Sequence, residues 1–272
     1  MALQAVELLY DRTPSLDIPA IGRRVGQLRG AEVDAQVIKP GANGLLSHKD
    51  CVVQYDDGAA PAQTALFAAS EATDPAAYEE DVQQSWACEG AAELMRGVGH
   101  ACLVTEMMAQ ALAPERRLEI FHAVLQAAVE ITKPKALAFR QSQQILDPAQ
   151  YLAAVSEPPI RRLGSLNVRF YNISNSPGDM IMDTRGLEEI GLHDLQCHFR
   201  ELEPNEVSRV LYNTAFYIFE KGPVIESGHT IAGIEPESRW RCQFEAALLP
   251  PGRDVLDLDP GPPFAAGNRP DV

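Results

Sequence analysis

Lysine is scarce in this chain of 272 residues: of 23 basic residues only Lys39, Lys49, Lys133, Lys135 and Lys221 are lysines. From Asp50 to Met95 there is neither lysine nor arginine, where the chain's own average would place about four. With a formal net charge of −15, the sequence argues against a protein that grips a phosphate backbone, because nucleic-acid affinity is mostly cation-driven. Nowhere do eighteen apolar residues run together, and the opening "MALQAVELLYDRTPS" has neither a basic n-region nor a long apolar h-region. Neither membrane insertion nor export is signalled, so the expected compartment is the cytoplasm. Cysteines 51, 88, 102, 197 and 242 are odd in number, far apart and without CxxC spacing, which excludes the usual zinc and dithiol signatures and predicts buried, reduced thiols. Also missing are GxSxG, HExxH, SxxK and any glycine-rich phosphate loop. The six histidines show no catalytic spacing, and the chain is read as a non-enzyme with no assigned catalytic residue, cofactor or metal ligand.

What is present reads as alternating strands and helices. "AVELLY" (5–10) has strand length, and Asp17 then caps a helix along which Ile18, Ile21, Val25 and Leu28 recur at helical spacing. Strands follow at 32–39, 51–55 and 63–69, with "DDGAAP" as the turn between the last two. A helical stretch over 76–98, a strand over 100–108 and a strong helix from Pro114 to Thr132 come next; Leu118, Phe121, Leu125, Ala128 and Val129 form the apolar stripe of that helix. A strand at 136–141 and a short helix capped by Asp147 complete the pattern. This β-α-β-β-α-β order with insertions predicts an α+β, ferredoxin-like α/β sandwich lobe over 1–157. "SEPPIRRLG" (156–164) marks the boundary. A second α+β lobe over 165–249 opens with a hairpin (166–173 and 179–184) and carries one long helix from Pro204, with Val207, Val210, Leu211, Thr214, Ala215 and Ile218 on one face. Residues 250–272, rich in proline and glycine, are expected to be a loose acidic tail that includes "DVLDLD" (254–259).

The stretch "MDTRGLEEIGLHDLQCHF" (182–199) concentrates Asp183, Glu188, Glu189, Asp194, two histidines and a cysteine. On a helix His193 and Cys197 would share a face as zinc ligands. Leu195, Cys197 and Phe199 alternate with Gln196 and His198, however, which favours a strand and puts His193 and His198 on opposite faces. "GLEEIG" reads as one helical turn between two glycines with positive φ. Thr184 and Asp194 are then expected as caps, with Glu188 and Glu189 facing water.

The more telling feature is the acidic run: Asp50, Asp56, Asp57, Glu71, Asp74, Glu79, Glu80, Asp81, Glu89 and Glu93. Such a one-signed field raises encounter rates with a basic surface. Asp56, Asp57, Glu79, Glu80 and Asp81 are the candidate steering groups. Tyr78 and Trp86 are the candidate buried anchors.

"MDTRGLEEIGLHDLQ…GHTIAG" resembles the C-terminal module of a bacterial domain-of-unknown-function family with the pattern TxGL..(L/I)G..D(L/I)Q, a helix and a GxT turn. The matching residues are Thr184, Gly186, Leu187, Gly191, Asp194, Leu195, Gln196, Gly228 and Thr230. Members of that family occur beside secreted effectors, type VI secretion effectors included, and some look like immunity proteins; the family supplies no catalytic residue. The resemblance therefore implies a cytoplasmic immunity protein that binds a cognate toxin effector with a basic surface, a nuclease by expectation, with no nucleic acid and no membrane as partner. Two other readings stand beside it. One is an enzyme with a polar site between the lobes around His229 and Asp194. The other is a structural or assembly component that would self-associate as a homo-oligomer.

Overall fold

Asp17 starts the first helix in the way its type demands: its Oδ1 accepts from the Ala20 amide at 2.9 Å, Pro19 lies in the first turn, and Gly30 ends the helix with φ 62°. The structure, a computed structural model, describes residues 3–56 and 58–267. The chain forms two compact units, Met1–Ser165 and Leu166–Val272.

The first unit runs β1 (Ala5–Tyr10), α1 (Ile18–Arg29), β2 (Val33–Lys39), β3 (Asn43–Tyr55), β4 (Gly58–Ala68), a 3-10 turn (Pro75–Tyr78), α2 (Glu79–Gln83), α3 (Ala91–Met95), β5 (His100–Met107), α4 (Pro114–Thr132), β6 (Ala136–Phe139), β7 (Gln144–Leu146) and α5 (Pro148–Ala153). Its sheet has the order β2-β3-β4-β5-β1-β6-β7, and every neighbouring pair is antiparallel. Within it, β1-α1-β4-β5-α4-β6 with the strand order β4-β5-β1-β6 is the expected ferredoxin-like arrangement, widened by β2 and β3 at one edge and β7 at the other. Alternation along β1 sends Val6, Leu8 and Tyr10 to one face, where Tyr10 Oη donates to Thr132 Oγ1 of α4 at 2.7 Å. The expected stripe of α4 is buried, with Phe121, Leu125, Ala128 and Val129 in this core. Packing is tight where α1 crosses the sheet: a Cβ added to Gly44 would come 2.5 Å from two Ile18 side-chain atoms.

Segment 75–95 crosses the opposite face, where Tyr78 Oη donates to Glu7 Oε2 at 2.9 Å. The single helix expected over 76–98 is broken. The Ser85 hydroxyl donates to the Asp81 carbonyl and accepts from the Ile145 amide of β7, taking the acceptor that the next helical amide would have used.

The second unit runs β8 (Asn167–Asn172), β9 (Asp179–Arg185), β10 (Asp194–Arg200), α6 (Pro204–Lys221), β11 (Thr230–Ala232), β12 (Arg239–Ala246) and β13 (Asp254–Asp259), in the sheet order β11-β12-β13-β10-β9-β8. The expected hairpin is β8–β9, and the six expected residues of α6 are its buried face. The loose tail over 250–272 is a misreading. β13 lies inside the sheet, parallel to β10 and antiparallel to β12, with Val255, Leu256 and Leu258 at most 1% exposed. Its prolines flank the strand without interrupting the ladder, and Asp257 is itself buried, accepting from Gln196 Nε2 at 3.4 Å. Residues 268–272 of that stretch lie outside the described ones. The five cysteines are buried and unbridged. Among the described residues no helix is long and apolar enough to cross a membrane.

Candidate functional site

The dense stretch of the second unit folds into a closed hydrogen-bonded knot. Gly186 (φ 124°) and Gly191 (φ 87°) bracket a 3-10 turn, Glu188–Ile190. The Leu187 amide donates to Asp194 Oδ1 at 3.2 Å, Thr184 Oγ1 donates to the same oxygen at 3.0 Å, and the Leu195 amide donates to Thr184 Oγ1 at 2.8 Å. Asp194, the first residue of β10, holds the entry of the turn from across the loop and does not cap it, contrary to expectation. Thr184 does not cap; it ties β9 to β10.

Beside the knot lies an ion network. Arg169 grips Asp183 with two hydrogen bonds of 2.9 and 2.6 Å, and Arg253 joins Asp183 Oδ2 at 2.6 Å to Asp194 Oδ2 at 3.2 Å. None of these four side chains is more than 3% exposed. Gln196 donates to Glu245 Oε1 at 2.8 Å and accepts from the Leu248 amide at 2.8 Å, extending the network toward β12. Burial pushes the Asp194 carboxyl up to about 6 against the pull of Arg253 and Arg185. Glu189 corrects an expectation: it is 5% exposed rather than solvated, and burial first, then the Asp194 charge, push it up to about 7. Arg185 Nη2 reaches Glu189 Oε1 at only 3.4 Å, and Glu189 Oε2 is buried with no hydrogen-bond partner among the described residues. The cluster joins β8, β9 and β10 to Arg253, just ahead of β13.

His193 is exposed and packs its ring 4.8 Å from that of Phe244, while Cys197 is wholly buried on β10. Among the described residues no group of three His, Cys, Asp or Glu side chains could hold a metal ion. His229 and Asp194 do not form a shared site. His229 lies in the exposed turn before β11, accepts from the Glu226 amide at 3.2 Å, and lines a groove with Arg209, Asn213 and Tyr217 of α6. Asp194 is sealed in the network.

In the first unit the expected steering and anchoring residues separate into two groups. Trp86 is 60% exposed on the link between α2 and α3, at a groove of about 540 Å³ shared with Glu89, Glu93, Leu94, Asp147 and Gln150. Asp147 is held there by capping α5, accepting from the Ala149 and Gln150 amides at 2.6 and 3.1 Å. Glu79 and Glu80 are exposed nearby in sequence, Glu80 accepting from Gln143 at 3.1 Å, and among the described residues neither Glu79 nor Glu89 has an ion-pair partner. Glu93 pairs with Arg96 at the surface.

Two expected contact residues are internal. Tyr78 is 4% exposed, bonded to Glu7 and capped by the Arg140 guanidinium 5.2 Å from its ring centroid. Asp81 is 8% exposed and faces Arg140 Nη1 at 3.5 Å. Asp56 is distant. It sits at the β3–β4 turn, whereas Glu7, the partner of Tyr78, lies in the row of Leu103 and Phe67, nine residues further along β4 and so about 30 Å away. Asp57 lies outside the described residues. Asp50 is neutralised by Arg29 at 2.7 Å and Arg116 at 2.5 Å, so the acidic run does not act as one field. The contribution of Asp147 and Gln150 to the Trp86 groove had no sequence signal, since they arrive from a helix far downstream.

Residues 183–259 match a family described as a domain of unknown function, DUF4261. The DUF4261 segment spans the knot and the long helix and ends with β13, which bears out the resemblance at the level of a domain of unknown function. No curated protein and no solved structure matches the chain.

Proposed function

We propose that this chain is a cytoplasmic, non-catalytic immunity protein that neutralises a cognate secreted toxin, a type VI secretion nuclease being the expected class, by docking a basic surface of it on the Trp86 groove. The observation that carries the reading is a largely exposed tryptophan among carboxylates, in a segment without a lysine or arginine until Arg96. A rigid aromatic at a groove has the form of an interface anchor, and unpaired rim carboxylates set encounter rate more than affinity. A nuclease needs a cationic cleft, so an acidic inhibitor fits it electrostatically.

The test is co-expression with the product of the neighbouring gene, scoring suppression of toxicity and the kinetics of the purified pair. Trp86→Ala should raise the dissociation rate by about tenfold or more. Undiminished affinity in Trp86→Ala, or toxicity that continues in the presence of the wild-type chain, counts against the reading.

A further inference from the structure

We propose that the cleft between the last turn of α1 and one face of α4 is a binding site for a small organic oxyanion of the phosphate-ester class. The cleft has a volume of about 420 Å³ and is lined by Arg29 of α1, Arg116 and Glu119 of α4, and Arg162 beyond α5. Three guanidinium groups thus converge from three segments of the first unit. The one carboxylate in the lining, Glu119, already accepts from Arg116 Nη1 at 2.9 Å.

The arginines are held in place from behind. Asp50 Oδ2 accepts from Arg29 Nη2 at 2.7 Å and from Arg116 Nη2 at 2.5 Å, and Cys51 Sγ accepts from Arg29 Nη2 at 3.2 Å and Arg116 Nε at 3.3 Å. His48 Nδ1 lies 3.0 Å from Arg29 Nη1, and burial, followed by the Arg29 charge, pushes the imidazole down to about 4. It is therefore neutral and adds no competing cation. With Asp50 and Glu119 counted, three cations face two carboxylates.

That balance is unusual in a chain of net charge −15. Arg162 spends Nε on the Glu157 carbonyl at 2.9 Å, and among the described residues no carboxylate pairs with it. Arg29 has a side chain only 5% exposed, yet its buried Nε has no hydrogen-bond partner among the described residues. The cluster is fixed, and its surplus positive charge rests on Arg162. Planar guanidinium groups suit oxyanions bidentately, and groups already oriented lose little entropy on binding. The cleft is also larger than an inorganic phosphate needs, and Leu28, Ala123 and Val155 give it an apolar wall for an organic body.

The experiment is calorimetric titration of the full chain, alone, with phenyl phosphate and with inorganic phosphate at constant ionic strength. Phenyl phosphate is expected to bind saturably at one site and more tightly than inorganic phosphate. Arg162→Gln, which breaks no ion pair, should weaken it about tenfold or more with an unchanged melting temperature. Arg116→Gln should weaken it as well. Absence of saturable binding at millimolar ligand, equal affinity for the two probes, or wild-type affinity in Arg162→Gln each overturns the assignment. No toxin is needed, so the result is independent of the Trp86 reading.

Discussion

Glu189 places a carboxyl where water does not reach and where the nearest cation, Arg185, makes only a long contact. A carboxyl whose pKa is higher in the folded than in the unfolded chain binds its proton more tightly when folded. Its stabilising effect is therefore complete below the ordinary carboxylate range and is lost as pH rises through about 7. Glu189→Gln keeps the shape and removes the titration. Thermal unfolding of the two proteins should agree at about pH 4, and the variant should be ahead by about 1–2 kcal/mol at about pH 8. A variant that is less stable at the higher pH means that the Arg185 pairing outweighs burial. At this scale the sequence was half legible. The positive-φ glycines could be read from residue type and spacing. The burial of Glu189 could not, because a three-residue turn has no periodicity from which to tell an inward side from an outward one.

Long elements were readable and short or composite ones were not. α4 and α6 declare themselves through stripes of five apolar residues each, joined in α6 by Thr214, and the order of strands and helices was enough for the ferredoxin-like class of the first unit. β7 is three residues long, the first half of β3 is masked by glycine and charge, and β13 hides between prolines. The candidate site suffered for the same reason. Tyr78 and Asp81 were read as surface because the helix expected to carry them is in fact a 3-10 turn and two short helices, with α2 folded onto β7. Ser85 is the joint that makes this so, its hydroxyl serving both the Asp81 carbonyl and the Ile145 amide. Ser85→Ala leaves the buried Ile145 amide without its acceptor, at a cost of about 1–3 kcal/mol. Hydrogen exchange should show the Ile145 amide less protected and the Trp86 segment loosened, with α4 unaffected. Unchanged protection at Ile145 would show that the hydroxyl contributes little.

Net charge belongs to the whole molecule, but its distribution decides what it does. Asp56 and the row that holds Tyr78 are separated by about 30 Å of strand, more than the screening length at physiological salt. Glu79→Gln with Glu89→Gln should slow association with a basic partner at low salt, while Asp56→Asn should leave the rate unchanged; stopped-flow rates over a range of ionic strength distinguish the two. Equal slowing by Asp56→Asn would mean that the partner covers both ends. The position of β13 has a consequence at the same scale. β10 and β12 do not pair with each other; among the described residues β13 alone joins the two halves of that sheet. A chain ending at residue 250 would thus expose two long adhesive edges where a seam should be, and it should form strand-rich aggregates, detectable by sedimentation and amyloid-dye fluorescence, instead of merely losing an appendage.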